Sequence, residues 1–358
     1  MGQSFCLIAP HRRRRLGWRG KLGEVLFDGT AFQLVPFFAR PVVHVEDTDE
    51  PLVIRGKVIP RKKRRRLDSS SASHAARPPL LRLPNEIHHL IFDSLDIKGV
   101  FILGITCQQF WDIARFKIKQ YFASYLGRLA GTPVVCVGDG TDRGGNVIYP
   151  QGLLSSKDVR DLQEGLDVDE LEDGLPDEYA NKPINLYGVA FNRYRVYRSD
   201  GGSFPSKLLH ICLEYIHKDP CPDDMLGVSH PTLSDFYPES QEWVLRNLTT
   251  REFVLPTAVA LQKKHIKGPL INVLGFGEVI LSRVCWSTDD FTSMGWEGIH
   301  RGVWAGHSLD IVPSTYLDSG GPWKDISDEV SREIAEIWKS EYGEDWRNVI
   351  SENRPRYW

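Results

Sequence analysis

Short apolar runs broken by Pro and Gly fill residues 1–60: CLIAP, VLFDG, FQLVPFFARPVVHV and PLVIRGKVIP. Runs of this kind predict short strands or extended segments that need another layer to pack against. From 83 to 125 the period becomes helical. Pro84 and Glu86 suit a first helical turn, where the missing proline donor costs nothing and negative charge meets the helix dipole. Ile87, Leu90, Ile91 and Leu95 then recur at helical spacing, with Phe92 beside them. Gly99 interrupts the pattern. A short second helix holds Val100 and Leu103, and a third begins near Thr106 and carries Phe110, Ile113, Ala114, Ile118, Tyr121 and Tyr125.

Beyond Gly131 the pattern turns strand-like, with PVVCVGDG a buried strand ending in a turn. KLLHICLEYIHK (207–218) and QEWVLRNLT (241–249) predict helices, and INVLGFGEVILSRVCW predicts two short strands around a Gly turn. GWEGIHRGVWAGHSLDIV reads as tight turns between short strands. A last helix, Asp328 to Lys339, puts Val330, Ile334, Ile337 and Trp338 on one face, with Ser327 as its cap. The expectation is an α+β protein with four parts. They are an extended N-terminal segment (1–60) packed on the body, a disordered linker (61–80), a short three-helix module (81–125) and a mixed α+β domain (131–358).

Composition narrows the classes. Of 358 residues, 41% are apolar and 25% charged, ordinary globular usage for two or three domains. No apolar run approaches the roughly 20 residues of a membrane span. The opening MGQSFCLIAPHRRRR places charge after the apolar stretch, the reverse of a secretory signal. The six scattered Cys fit a reducing compartment better than a disulfide scaffold.

Charge is unevenly spread. Residues 1–80 hold 16 Lys/Arg and 7 Asp/Glu, whereas residues 81–358 hold 28 and 40. The basic run Arg61, Lys62, Lys63, Arg64, Arg65 and Arg66 reads as a nuclear import signal, in a linker too polar to pack. No aromatic residue interleaves it, so it offers no stacking platform for bases. The stretch 158–178 carries ten Asp/Glu against one Arg and predicts a surface helix or loop.

Candidate chemistry is sparse. His210, Cys212, His217 and Cys221 lie close together, but without zinc-site spacing a buried structural Cys212 is the simpler reading. Cys107, Cys136 and Cys285 sit in apolar runs and read as core. GFGEVI lacks the third Gly of a dinucleotide loop and the Lys-Ser/Thr of a P-loop, so a tight turn is expected. Asp289 and Asp290 are a carboxylate pair of the kind chance supplies in an acidic chain. Cys6 beside HRRRR is an acylation candidate, and Asn247-Leu248-Thr249 is a formal glycosylation acceptor. Of Trp286, Trp296 and Trp304, most are expected in the core. No catalytic, metal or cofactor residues are assigned.

Residues 83–114, LPNEIHHLIFDSLDIKGVFILGITCQQFWDIA, resemble an F-box. Leu83, Pro84, Glu86 and Ile87 match its opening. Ile91, Phe92 and Leu95 match its middle, and Cys107, Phe110, Ile113 and Ala114 its end. Gly99 and Val100 depart from the usual acidic residue and Leu, and Phe110 replaces a Trp. The opening MGQSF and the blocks at 17–24, 135–140 and 275–312 are also similar to mushroom-type fungal F-box proteins of uncharacterised biochemistry. The resemblance implies a non-catalytic adaptor of an SCF-type (Skp1-cullin-F-box) ubiquitin ligase, located in nucleus or cytoplasm. It would dock a Skp1-like adaptor through Leu83, Pro84, Ile87, Ile91, Leu95, Val100, Leu103, Cys107 and Phe110. Its C-terminal body would hold a protein target. The alternatives are a nuclear interaction protein independent of Skp1, or an enzyme of unrecognised class built on 131–358.

Overall fold

The computed structural model describes residues 2–17, 20–43, 53–54, 57–58, 78–139, 149–150, 152–163, 186–197, 208, 210, 224–318 and 321–353. The fold is mixed α+β. The chain divides into two units, and each is discontinuous in sequence. The first comprises Met1–Pro41, Ser124–Phe204 and Thr232–Trp358, and the second Val42–Ala123 and Pro205–Pro231.

The first unit opens with β1 (Ser4–Ala9), five of whose six residues are buried. A turn at Pro10–Arg12 leads into the antiparallel β2 (Arg14–Leu16). The two-residue β3 (Gly20–Lys21) pairs with the start of β1, and α1 (Leu22–Phe27) and α2 (Val35–Phe38) follow. In the second unit a two-residue hairpin, β4 (Val53–Ile54) and β5 (Lys57–Val58), precedes α3 (Asn85–Ser94), α4 (Ile97–Gly104) and α5 (Gln108–Ala123). Gly99 falls in the first turn of α4, where its N–H donates to the Asp96 carboxylate at 2.8 Å. That cap offsets part of the roughly 1 kcal/mol a helical Gly costs.

Back in the first unit, β6 (Val135–Gly138) pairs with β1, and α6 (Ser156–Gln163), α7 (Leu186–Arg193) and β7 (Arg195–Tyr197) follow. The short α8 (Met225–Ser229) belongs to the second unit. The remaining elements belong to the first: β8 (Trp243–Asn247), β9 (Glu252–Val254), α9 (Pro256–Val259), β10 (Ile266–Lys267), β11 (Leu270–Ile271), α10 (Phe276–Arg283), β12 (Cys285–Trp286), β13 (Leu309–Pro313), β14 (Lys324–Asp325), α11 (Ser327–Tyr342) and α12 (Trp346–Asn353).

One sheet runs β12-β6-β1-β2-β7 with β3 alongside β1, so β1 is its central strand. Cys6, Ile8, Val135 and Val137 on one face pack with Leu186, Val189 and Tyr194 of the α7 region. The second sheet runs β13-β8-β9-β14, with Val312 opposite Val244 and Leu245 opposite Val254.

Three expectations are corrected. Within residues 241–249, Trp243–Asn247 form strand β8, and no helix is present there. All five residues of β8 are buried, Arg246 and Asn247 included, and pairing to β9 and β13 decides the conformation. GFGEVILSRVCW is not two strands around a turn. Gly275 precedes α10, where the Glu278 carboxylate accepts the Gly275 N–H at 2.9 Å, and only Cys285–Trp286 is strand. All eight residues of α10 are buried, Glu278, Ser282 and Arg283 included, so no solvent-facing stripe marks it as a helix. Gly277 is required there, because a Cβ would lie 2.0 Å from the Ala31 carbonyl oxygen. Finally, Ser327 is not the cap of α11. The Asp325 carboxylate accepts the Ser327 N–H at 2.9 Å, and the Ser327 hydroxyl accepts the Leu255 N–H.

Other readings hold. PVVCVGDG contains the buried β6, and α11 buries Val330, Ile334, Ile337 and Trp338. The turns before β13 carry Gly298 and Gly306 at φ of 94° and 82°. The predicted helix at 207–218 lies outside the described residues except for Leu208 and His210, which are helical.

Candidate functional site

Among the described residues of the first unit, two clusters of charged side chains are buried. Asp310, fully buried on β13, accepts a bidentate pair from Arg246 at 2.9 Å and a third bond from Arg40 at 2.8 Å. Arg283 of α10, also buried, pairs with Glu329 and Glu333 of α11 and lies 4.6 Å from the centre of the Trp304 ring. Burial pushes the Glu333 carboxyl up in pKa, against the opposing attraction of Arg283. Asp310 and Arg283 are held in buried ion pairs, while Arg40 and Glu329 keep about half of their side chains exposed.

The cysteines are equally closed off. Cys6, Cys136 and Cys285 are buried on neighbouring strands, and Cys136 and Cys285 are direct partners across β6 and β12. Burial pushes the Cys6 thiol up to about 11 and raises that of Cys136 well above its usual range. The acylation reading of Cys6 is therefore corrected, because its sulfur lies inside the sheet. Cys107 is half-buried, unlike the core position expected of it. Asn247 is fully buried and bonded to His307, which closes the glycosylation reading as well. Trp304 is buried, while Trp286 and Trp296 are half-buried.

A cleft of about 490 Å³ opens between α9 and the start of α11, where Leu255 and Ile326 meet Lys324 and Asp325. Asp325 is already committed to capping α11. Among the described residues no group of three or more His, Cys, Asp or Glu is placed to hold a metal ion. No helix among them is long and apolar enough to cross a membrane. Of the proposed zinc cluster only His210 is described, and the basic run 61–66 lies outside the described residues.

The second unit carries a different feature. Pro84 precedes α3 in extended conformation, and its carbonyl accepts the N–H groups of Ile87 and His88 at 3.0 and 3.2 Å. His88 and Phe92 point inward. The His88 ring lies edge-on to Phe110 at 5.1 Å, and Phe92 to Phe110 at 5.9 Å. The Leu80 carbonyl lies 2.8 Å from His88 Nε2, which therefore carries the proton and donates. An ion pair between Asp93 and Lys117 ties α3 to α5. On the far side of α5, Trp111 donates to the Asp224 carboxylate just before α8 at 2.6 Å. Gly104 lets α4 close on α5, where a Cβ would lie 2.3 Å from that of Ala114.

With that inward face filled, Leu83, Ile87 and Leu90 point outward, 38%, 39% and 64% exposed. At 100° per residue the apolar arc from Leu90 round to Phe92 spans roughly 200° of the helix, twice the stripe a single core face needs. Glu86, His89 and Asp93 border the arc with exposed polar groups. The nine residues singled out in sequence thus divide. Leu83, Pro84 and Ile87 are on the surface, and Ile91, Leu95, Leu103 and Cys107 are half-buried. Val100 and Phe110 are buried in the unit's core and support the surface without forming it. Sequence reasoning placed Leu90 in the helical stripe without marking it for the site, and did not assign His88. The apolar recurrence of Ile87 and Ile91 masked the fact that the buried pair is the His88–Phe92 step of four.

No protein family, no curated protein and no solved structure matches the chain. What the fold and site define is a mixed α+β protein with an outward apolar helix face.

Proposed function

We propose that this protein is the substrate-recruiting adaptor of an SCF-type ubiquitin ligase, and that α3 docks a Skp1-like partner through Leu83, Ile87 and Leu90, with Ile91 beneath them. The observation that carries the reading is the double-width apolar arc of α3, one half satisfied by Phe110 and the other left to solvent. Apolar side chains ringed by polar ones form the anatomy of a helix-docking interface. The order of residues 83–114, which resembles the F-box opening, middle and end, favours a Skp1-like occupant over an arbitrary helical one. The three-helix module of that reading is α3, α4 and α5, with α8 packed against α5 through Trp111 and Asp224.

In this reading the chain performs no bond chemistry. It raises the effective concentration of a bound target near the ligase's catalytic subunits. Residues 61–66 act as a nuclear import signal. Co-purification of the full chain with a Skp1-like protein, lost on Ile87→Asp while the fold is retained, tests the docking half. Nuclear exclusion of a fluorescent fusion on changing residues 61–66 to Ala tests the localisation half.

A further inference from the structure

We infer that the edge of the first sheet formed by β2 and β7 is a binding site for an extended, acidic peptide carrying phosphoserine or phosphothreonine. The inference concerns the first unit and does not depend on the docking reading of α3.

The sequence run His11 to Arg15 is folded into an ordered cation–aromatic ladder. The Arg128 guanidinium lies 4.4 Å from the centre of the Tyr125 ring and 5.5 Å from that of Tyr197. Arg14 meets the same Tyr197 ring at 5.2 Å. On the other face of the sheet Arg15 sits 4.5 Å from the centre of the Phe191 ring, itself stacked on Tyr187. Arg12 donates to the Arg128 carbonyl at 2.9 Å and joins the two segments. Among the described residues, none of Arg12, Arg13, Arg14, Arg15, Arg128 and Arg195 makes an ion pair. Like charges this dense repel one another, and the ring contacts of Arg14, Arg15 and Arg128 offset part of that repulsion. On one face of the sheet Arg14 and Arg128 flank the same Tyr197 ring, and two guanidinium forks this close fit a phosphate's oxygens in pairs.

The backbone supplies the second half of the site. Among the described residues β7 ends the sheet on this side, parallel to β2. Arg195 donates to the Arg13 carbonyl, and the Tyr197 carbonyl accepts the Gly17 N–H, so the Val196 peptide groups face away from β2. Val196 itself is 39% exposed. An extended chain has a strand edge to pair with there, flanked by Arg195 and Arg14. A nucleic acid fits less well. The rings are spent on aligning guanidiniums, and residues 81–358, with 28 basic against 40 acidic residues, repel a long polyanion.

The test is fluorescence anisotropy with the full chain and a labelled nonapeptide bearing two phosphoserines among Asp and Glu. The same peptide with plain serines and a ten-nucleotide uridine RNA serve as comparisons. The phosphopeptide is expected to bind at least about tenfold tighter than either. Arg14→Lys with Arg128→Lys, which keeps the charge and loses the forks, should weaken it about fivefold or more at unchanged melting temperature. Ile87→Asp should leave this binding unchanged. Four results would overturn the inference. They are no binding, RNA binding as tight as the phosphopeptide, equal binding by the double Lys variant, or binding that appears only after the acidic residues of 158–178 are neutralised. The last would make the chain's own acidic run the occupant.

Discussion

Ile87 and His88 are consecutive on α3 and face opposite ways: Ile87 is 39% exposed and His88 1%. The inward residue is polar and the outward one aliphatic, which inverts the usual order. His88 is satisfied where it lies, by the Leu80 carbonyl and the edge contact with Phe110. The helix therefore does not need Ile87 to hold it in place. Ile87→Asp should change stability by no more than about 0.5 kcal/mol, as at other exposed sites, whereas Phe92→Ala should cost about 3–5 kcal/mol. Urea unfolding of the two variants checks the contrast. Similar losses in both would place Ile87 in the core.

The glycines at close approaches give a second test. A methyl at Gly104 meets Ala114 Cβ, a side chain that moves with its helix, while one at Gly277 meets the Ala31 carbonyl. Gly104→Ala should cost about 1–3 kcal/mol by overpacking, and Gly277→Ala more, because backbone must shift. Thermal unfolding of the two variants ranks them.

Asp310 and its two arginines should behave unequally. Arg246 is buried and bidentate, and the Arg40 side chain is 48% exposed. Asp310→Ala strands the buried Arg246 and should cost about 3–5 kcal/mol. Arg40→Ala should cost at most about 1 kcal/mol. A reversed ranking in denaturant titrations would refute this assignment of roles.

Acid sensitivity should trace to His307. Asn247 Oδ1 accepts the N–H groups of Thr249 and Thr250, so its Nδ2 faces His307 and donates to Nδ1 at 2.9 Å. A protonated ring would turn a donor toward that donor. Burial, opposed by Glu252, holds the His307 pKa below its ordinary 6.5. The folded state thus prefers the neutral ring. Its contribution is complete above 6.5 and is lost as pH falls below that value through the lower folded one. The drop in melting temperature from about pH 7.5 to about pH 5.5 should shrink in His307→Gln. An unchanged drop would assign the sensitivity elsewhere.

Thiol labelling offers a residue-resolved check on the sheet. Cys6, Cys136 and Cys285 are buried with Cys6 and Cys136 raised in pKa, so native alkylation at neutral pH should reach Cys107 before any of these three. Mass spectrometry of the peptides reads the order. Early labelling of Cys136 would contradict the β1-β6-β12 arrangement.

How much of this was legible in the sequence depended on whether an element kept a wet face. α11 did: Val330, Ile334, Ile337 and Trp338 alternate with charge, and the helix was read within a few residues of its ends. α10 and β8 did not, since every residue of each is buried, and their polar residues (Glu278, Ser282, Arg283, Arg246 and Asn247) sit inside the protein, so the pattern marks no outer face. The run His11 to Arg15 was visible as charge, but its aromatic partners Phe191 and Tyr197 lie more than a hundred residues away. Only the fold brings them together. α3 was legible as a helix, and its direction of facing was not, because an apolar arc of that width fits two orientations.

The measurement that tests the central claim most directly is co-expression of the full chain with a Skp1-like protein, followed by size-exclusion chromatography of wild type and Ile87→Asp side by side. A one-to-one complex for wild type, and a folded free chain for the variant, is the predicted result. A folded wild-type chain that elutes alone, or a complex that survives Ile87→Asp, would contradict docking through α3.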